Sequence, residues 1–263
     1  MDAVDKKIVF YLLKDGRISQ RRIAALLGLN PASLNYRFKK LLDSGTLKGF
    51  KLYVNPNLLG FVQTYVVFKN YKDFDADWIS FRLKCLEWYN VYGVYGRDSA
   101  EIKDRLGYMQ KVLGEPVLTY FPAQFKVKLS QLDLKILDLL RKDPRMSSSK
   151  IAKSLGVATK KVEKHIKNLK FRGLIMIVPV VDLGNLDSIV FSIFSKKIED
   201  VSPILQECKI WQFTDGYAGI TVCNQDRMEG VKKYVSAVRE VDKEAEMMLI
   251  YGYDFKTVWA NNP

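Results

Sequence analysis

Two short rows of side chains carry most of the chain's capacity for chemistry. The first is Ser33, Tyr36, Arg37 and Lys40, which lie at helical spacing behind an Asn30-Pro31 opening, and the second is Lys160, Lys161, Lys164 and His165. Hydroxyls, amines, a guanidinium and an imidazole in such rows suit hydrogen bonding and charge pairing along a polyanion more than they suit bond making. Arg37 has the fork to donate to O6 and N7 of one guanine at once, whereas Lys160 to Lys164 suit phosphates. His165 is the only histidine of the chain. That excludes a His-based zinc site and argues against His-assisted hydrolysis, and its place in the row favours a contact with DNA. The cysteines, Cys85, Cys208 and Cys223, are odd in number and lack C-x-x-C spacing. A disulfide framework and a structural zinc are both disfavoured, and all three are expected as small buried apolar residues. No catalytic residue, metal ligand or cofactor is expected.

The elements that must position these rows form a repeated unit. Residues 5–47 align with 133–175 without a gap at an offset of 128, and 15 of the 43 pairs are identical, too many for chance, so the chain is a duplication. Each copy reads as three short helices. In the first, Ile8 and Leu12 give a helical apolar face that Asp15-Gly16 ends. Ser19 caps a second helix and Gly28 supplies its left-handed stop. Asn30 and Pro31 then open a third helix as N-cap and first residue. Leu34, Phe38 and Leu41 face inward on it, Ser33, Tyr36, Arg37 and Lys40 face away, and Gly45 closes it. The next stretch, TLKGFKLYVNP, alternates like a β-ribbon bent at Lys48-Gly49, which makes the unit a winged helix-turn-helix.

Charge follows the repeat. The net charge is +13, yet residues 1–60 alone sum to +7 and residues 129–181 to +8, which leaves −2 for the rest. Positive charge confined to the two copies points to a polyanionic partner, double-stranded DNA. Arg21, Arg22, Lys48 and Lys51 in the first copy, and Lys150, Lys153 and Arg172 in the second, sit where phosphates would pass.

After residue 60 the period changes from 3.6 to 2. FVQTYVVF reads as a strand, DADWISFRLKCLEW as a helix, YNVYGVYG as a strand, EIKDRLGYMQKVL as a helix and VLTYFPAQFKV as a strand. The second half repeats a fuller order, β-α-β-β-α-β, of the ferredoxin-like kind. About ten residues are absent from the first copy, and its third strand is expected to be missing or very short. The fold class is α+β: two winged modules alternating with two ferredoxin-like sandwich domains, over residues 1–60, 61–130, 131–184 and 185–263.

A basic winged module followed by such a sandwich resembles the Lrp/AsnC, or feast/famine, family of transcription regulators. The resemblance rests on Asp5, Asp15-Gly16-Arg17, Ser19, Ile23-Ala24, Leu27-Gly28, Leu34, Arg37-Phe38, Leu41, Gly45 and Leu47. It recurs in Asp133, Asp143-Pro144-Arg145, Ser147, Ile151-Ala152, Leu155-Gly156, Val162, His165-Ile166, Leu169, Gly173 and Ile175. Family members are single units that dimerise, whereas two units are fused here. The third-helix arginine is kept as Arg37 and replaced by His165, so the halves are not expected to read the same bases. The resemblance implies an amino-acid effector near a Gly-x-x-Asp turn. Gly96 and Asp98 in the first copy, and Asp215 and Gly216 in the second, are the nearest matches.

The leading expectation is therefore a sequence-specific DNA-binding transcriptional regulator, a fused pseudo-dimer on an asymmetric operator, with the sandwich domains able to self-associate. An architectural protein coating DNA with little sequence preference is one alternative. Sirohaem decarboxylases, which share the layout but set sandwich-domain histidines against the tetrapyrrole, are another; residues 61–130 and 182–263 hold no histidine, and no enzyme activity is expected. No apolar run approaches the roughly 18 residues of a membrane span. The N-terminal MDAVDKK offers no signal-peptide core, so a cytoplasmic, nucleoid-associated protein without a membrane partner is expected.

Overall fold

The computed structural model describes residues 1–214 and 217–259. Local signals build the first module. Helix α1 (Ala3–Lys14) starts at Asp2, whose carboxylate accepts from the N–H groups of Val4 and Asp5. Helix α2 (Gln20–Leu27) is capped by Ser19 and stopped by Gly28 at φ 65°. Helix α3 (Pro31–Asp43) is capped by Asn30, with Pro31 in its first turn. The strand that follows, β1 (Leu47–Val54), has no hairpin partner of its own.

The wing is built differently from the ribbon expected within one module. β1 runs uninterrupted through Lys48-Gly49 and pairs antiparallel with β6 (Ile175–Val181), the matching strand of the second module, made of α5 (Gln131–Lys142), α6 (Ser148–Leu155) and α7 (Thr159–Phe171). Gly49, at φ 138°, takes up the bulge that a bend would have needed. Under the 128-residue offset the register is its own image: Phe50 lies opposite Pro179 and Lys51 opposite Val178. A pseudo-two-fold axis passes between those pairs. Leu52 and Val54 pack into the core of the second module beside Ile136, Leu140 and Ile166, and Val178 and Val181 pack into the core that holds Ile8, Leu12 and Leu41. Each module thus completes its partner's core.

Two arginines close the same axis. Arg17 donates to the carbonyls of Pro144 (2.9 Å) and Met146 (2.8 Å), and its counterpart Arg145 donates to that of Ile18 (2.9 Å). Arg145 also lies over the Phe50 ring, 4.6 Å from its centroid, a contact that favours a cation over a low-dielectric surface. Burial pushes both guanidinium groups below their usual range, and carbonyl oxygens rather than carboxylates hold them.

The sandwich domains share one sheet of eight strands in the order β5-β2-β4-β3-β10-β7-β9-β8. The first copy supplies β2 (Val62–Lys69), β3 (Ile79–Cys85), β4 (Tyr89–Gly96) and β5 (Pro116–Tyr120) with one helix, α4 (Ser99–Leu113). The second supplies β7 (Ile189–Ser195), α8 (Ile198–Ile204), β8 (Lys209–Thr214), β9 (Gly219–Gln225), α9 (Met228–Val241) and β10 (Glu246–Phe255). The element missing from the first copy is its first helix, not its third strand. The stretch expected as that helix contains β3, because Phe81, Leu83 and Cys85 alternate into the core while Arg82 and Lys84 turn out to Asp73. Period 2 wins there over the helical reading.

The sheet folds back on itself. Phe81 of β3 stacks on Phe213 of β8 with ring centroids 4.5 Å apart, although three strands lie between them in the sheet order. Tyr65, Phe255 and Tyr53 join that aromatic cluster. Helix α4 covers one outer face, through Met109 and Leu113 on Phe68 and Tyr92, and α8 and α9 cover the other. Trp211 Nε1 donates to the Leu13 carbonyl (3.0 Å), which ties β8 to α1. All three cysteines are buried as expected, but Cys208 and Cys223 are joined as a disulfide with Cα atoms 4.9 Å apart, and Cys85 is a free thiol. Two adjacent secondary elements, not sequence spacing, bring that pair together.

The close approach at the axis leads to a first prediction. A Cβ on Gly16 would lie 2.2 Å from the Ile177 carbonyl oxygen, so Gly16→Ala must push the β1–β6 ribbon away. It is expected to cost about 1–3 kcal/mol, read as a lower urea midpoint with an unchanged slope; an unaltered midpoint would contradict the packing.

Candidate nucleic-acid interface

The third helix of each module is fixed to the first by a carboxylate. Asp5, 2% exposed on α1, accepts from Arg37 of α3 at 2.7 Å, and Asp2 takes the same nitrogen at 2.6 Å. At the equivalent place, His165 Nδ1 lies 2.7 Å from Asp133. Arg37, through one of its nitrogens, and His165 are therefore engaged within their own modules, while Arg37 still borders the cleft that holds Tyr36 and Lys40. The physical reason is that each stands where α3 or α7 crosses the first helix, close to a carboxylate that burial would otherwise leave unpaired.

These locks shift the acids. Burial alone would raise the Asp133 carboxyl, but hydrogen bonds from Ser130 and His165 hold it below its usual value of 3.8. The Asp5 N–H, then the Arg37 guanidinium, hold Asp2 below the same value. Asp2 was not among the expected site residues. Its only signal was its place as an acidic N-cap one turn from the helix that packs on α3.

Other expected cations divide into two groups. Lys48 pairs with Asp182 (2.9 Å) and Lys51 with Asp254 (2.6 Å), so both wing lysines meet acids of the second half. The β1–β6 pairing carries them there. Arg21 and Arg22 on α2, Lys40 on α3, Lys150 and Lys153 on α6, Lys160, Lys161 and Lys164 on α7, and Arg172 just beyond it are all exposed, and none pairs with an acid among the described residues. Lys39 belongs with them and was missed, although it neighbours Lys40 in the row. Of the cations elsewhere, Arg82, Lys84, Arg105, Arg141, Lys142 and Lys256 each meet a carboxylate, and others, such as Lys126, meet none among the described residues.

The outer faces of the two helices differ. On α3, Tyr36 is 72% exposed and, with Ser33 and Lys40, borders a shallow cleft of about 430 Å³ that Asp2 and Arg37 close. On α7 the equivalent surface carries Lys160, Lys161, Lys164 and Lys167, with Glu163 and Asn168 among them. Helix α7 starts at Ala158 without a side-chain cap, which leaves its first N–H groups open, whereas Asn30 caps α3. Open N–H groups beside lysines suit a phosphate.

The expected effector residues have structural work. Asp98 caps α4 by accepting from the Glu101 N–H (2.9 Å), and a side chain at Gly96 would meet Ile102 at 3.2 Å. Asp215 and Gly216 lie outside the described residues.

Residues 1–48 and 129–176 both match the family described as winged helix-turn-helix DNA-binding. The chain is 41% identical over 61 residues to the HTH-type transcriptional regulator FL11 of Pyrococcus furiosus, covering 23% of this chain and 40% of that protein. It is 31% identical over 78 residues to the regulatory protein AsnC of Haemophilus influenzae, covering 28% of this chain and 52% of AsnC. The chain resembles HTH-type regulators, AsnC among them, over about the length of one module. The chain thus spans about half or less of the length of these relatives. Among solved structures, it resembles the siroheme decarboxylase NirDL at 14% identity and a TM-score of 0.42, covering 97% of this chain and 93% of that one. It resembles LrpC of Bacillus subtilis at 19% identity and a TM-score of 0.34, covering 50% and 98%. No helix among the described residues is long and apolar enough to cross a membrane.

The carboxylate lock of the second winged module carries a pH signature. Because the Asp133 carboxyl is depressed in the folded chain, its contribution is present above about pH 4 and is lost as pH falls through the folded value. Asp133→Asn is expected to cost about 1.5–3 kcal/mol at pH 7, with the gap from wild type narrowing toward pH 3 in urea unfolding. A gap of constant size across that range would show that the carboxylate is not what holds α7.

Proposed function

We propose that the chain is a DNA-binding transcriptional regulator that acts as a fused pseudo-dimer on an operator with two unlike halves. The observation that carries this reading is where the positive charge stands. Residues 1–60 and 129–181 sum to +7 and +8 against −2 for the rest of the chain, and Arg21, Arg22, Lys40, Lys150, Lys153, Lys160, Lys161 and Lys164 on the outer faces of α2, α3, α6 and α7 are exposed and lack acidic partners among the described residues. Exposed like charges repel one another and gain little from water unless a polyanion meets them. The pseudo-two-fold axis at the ribbon supports two modules presented together, and operator symmetry mirrors protein symmetry. With His165 and one nitrogen of Arg37 engaged, base reading falls first to Ser33, Tyr36 and Lys40 in the first module. The second, with Lys160, Lys161 and Lys164, serves chiefly as a phosphate clamp. Exposed Leu86, Trp88 and Tyr251 near the β3–β10 seam support further self-association of the sandwich. The setting proposed is the cytoplasm, on the nucleoid.

The test is selection of bound fragments from a random DNA pool, followed by titration at several salt concentrations. One half-site is expected to be better defined than the other. Replacing Lys160, Lys161 and Lys164 by Ala should weaken binding to all sequences alike and flatten the slope of log K against log salt by about 0.9 for each phosphate no longer neutralised. Tyr36→Ala should instead relax preference within the better-defined half. A pool that yields no preferred sequence, with a continuous footprint, would favour an architectural coat.

A further inference from the structure

One guanidinium on α3 is held by two carboxylates at a single nitrogen. Arg37 Nη1 donates to Asp2 Oδ2 (2.6 Å) and to Asp5 Oδ1 (2.7 Å). Both acids are themselves fixed. Asp2 Oδ1 accepts from the N–H groups of Val4 and Asp5 (2.9 Å each), which pins its carboxylate at the start of α1, and Asp5 is 2% exposed. The two protons of Nη1 are thus taken. Nε and Nη2 donate to nothing among the described residues, yet neither is a buried atom left without a partner, so that edge of the fork is open to solvent. Arg37 forms a wall of the cleft of about 430 Å³ that Ser33, Tyr36 and Lys40 also line.

The chemistry of the open edge selects its partner. Nε and Nη2 offer two parallel N–H donors, which match two neighbouring acceptors. Arg37 and Lys40 are offset by Asp2 and Asp5, so these four charges sum to zero and draw a phosphate only weakly. Neutral acceptors suffer no such loss. In the major groove guanine presents two acceptors side by side, O6 and N7, whereas adenine sets an amino donor beside its N7 and thymine a methyl group beside its O4. A guanidinium already locked by a buried acid and a helix-capping acid loses little freedom on docking, as a discriminating contact requires. The second module has no equivalent edge. His165 Nδ1 lies 2.7 Å from Asp133, which leaves one ring nitrogen, and Ser130 stands in place of Asp2.

We propose that Asp2 and Asp5 are positioning residues that present Nε and Nη2 of Arg37 to one guanine in the half-site met by the first module. The inference rests on the DNA-binding reading and deepens it, by naming a base and the residues that stand behind its recognition. The other half-site carries no matching requirement.

The test uses the full chain and the operator recovered by selection. Each guanine of the better-defined half is replaced in turn by adenine and by 7-deazaguanine, which keeps O6 and the pairing edge but lacks the N7 acceptor. At one position adenine is expected to weaken binding about tenfold or more, the worth of a bidentate contact, and the deaza base by a smaller factor. Arg37→Lys keeps the charge but not the fork, so it should level guanine and adenine there. Asp2→Asn still caps α1 but releases the guanidinium, so it should lower discrimination at that position while affinity for other sequences holds or rises. The proposal is overturned if no guanine responds to the deaza base, or if Arg37→Lys keeps wild-type discrimination. It is also overturned if Asp2→Asn weakens every sequence alike, as loss of a helix cap alone would. A selection that yields no preferred sequence overturns the regulator reading together with this one, whereas a preferred operator indifferent to Arg37 overturns this one alone.

Discussion

The antiparallel pairing of β1 with β6 is the constraint on which the other parts depend. Neither strand has a partner within its own module, and an unpaired strand beside an apolar core would leave both hydrogen bonds and hydrophobic surface unsatisfied. The ribbon resolves both at once, since Leu52 and Val54 fill the second module while Val178 and Val181 fill the first. The crossed arginines then fix the angle between the modules. Their carbonyl partners leave the guanidinium charges uncancelled near the axis, where the ring of Phe50 and the neighbouring Asp15 and Asp143 temper them. Orientation of the two basic surfaces is thus a property of a shared core rather than of a flexible linker.

Within that frame the two modules use one design with different chemistry. A carboxylate on the first helix holds the third, through a guanidinium in one copy and an imidazole in the other. Two acids against one arginine in the first module leave a negative group at the edge of the exposed face, beside Tyr36 and Lys40. The second has no such acid, because Ser130 stands where the first has Asp2. Its face is the more uniformly positive of the two. Unequal surfaces on a nearly symmetric frame are what support a contrast between a selective half and a clamping half.

Much of this was legible where the signal is local. Ser19, Gly28, Asn30 and Pro31 announced their helix ends because capping depends on residues within one turn, and those caps are present as expected. The duplication, and with it the two basic faces, followed from a gapless repeat. What escaped was non-local. Nothing in TLKGFKLYVNP indicates that its partner lies more than 120 residues away, and a ribbon bent at Gly49 was the nearest local answer. The stretch around Phe81 carried apolar residues compatible with either period until burial on both neighbours selected a strand. Arg37 and His165 were read as outward-facing from helical spacing alone, which cannot show that Asp5 and Asp133 lie one helix away. The acids that meet Lys48 and Lys51 were hidden for the same reason.

Covalent fusion of the two modules also removes dilution from their pairing. Separate subunits must first find one another, so an interface between them would be lost as their concentration fell. Here the interlocked pair exists in every folded copy, and each half is free to accumulate changes that its twin need not share.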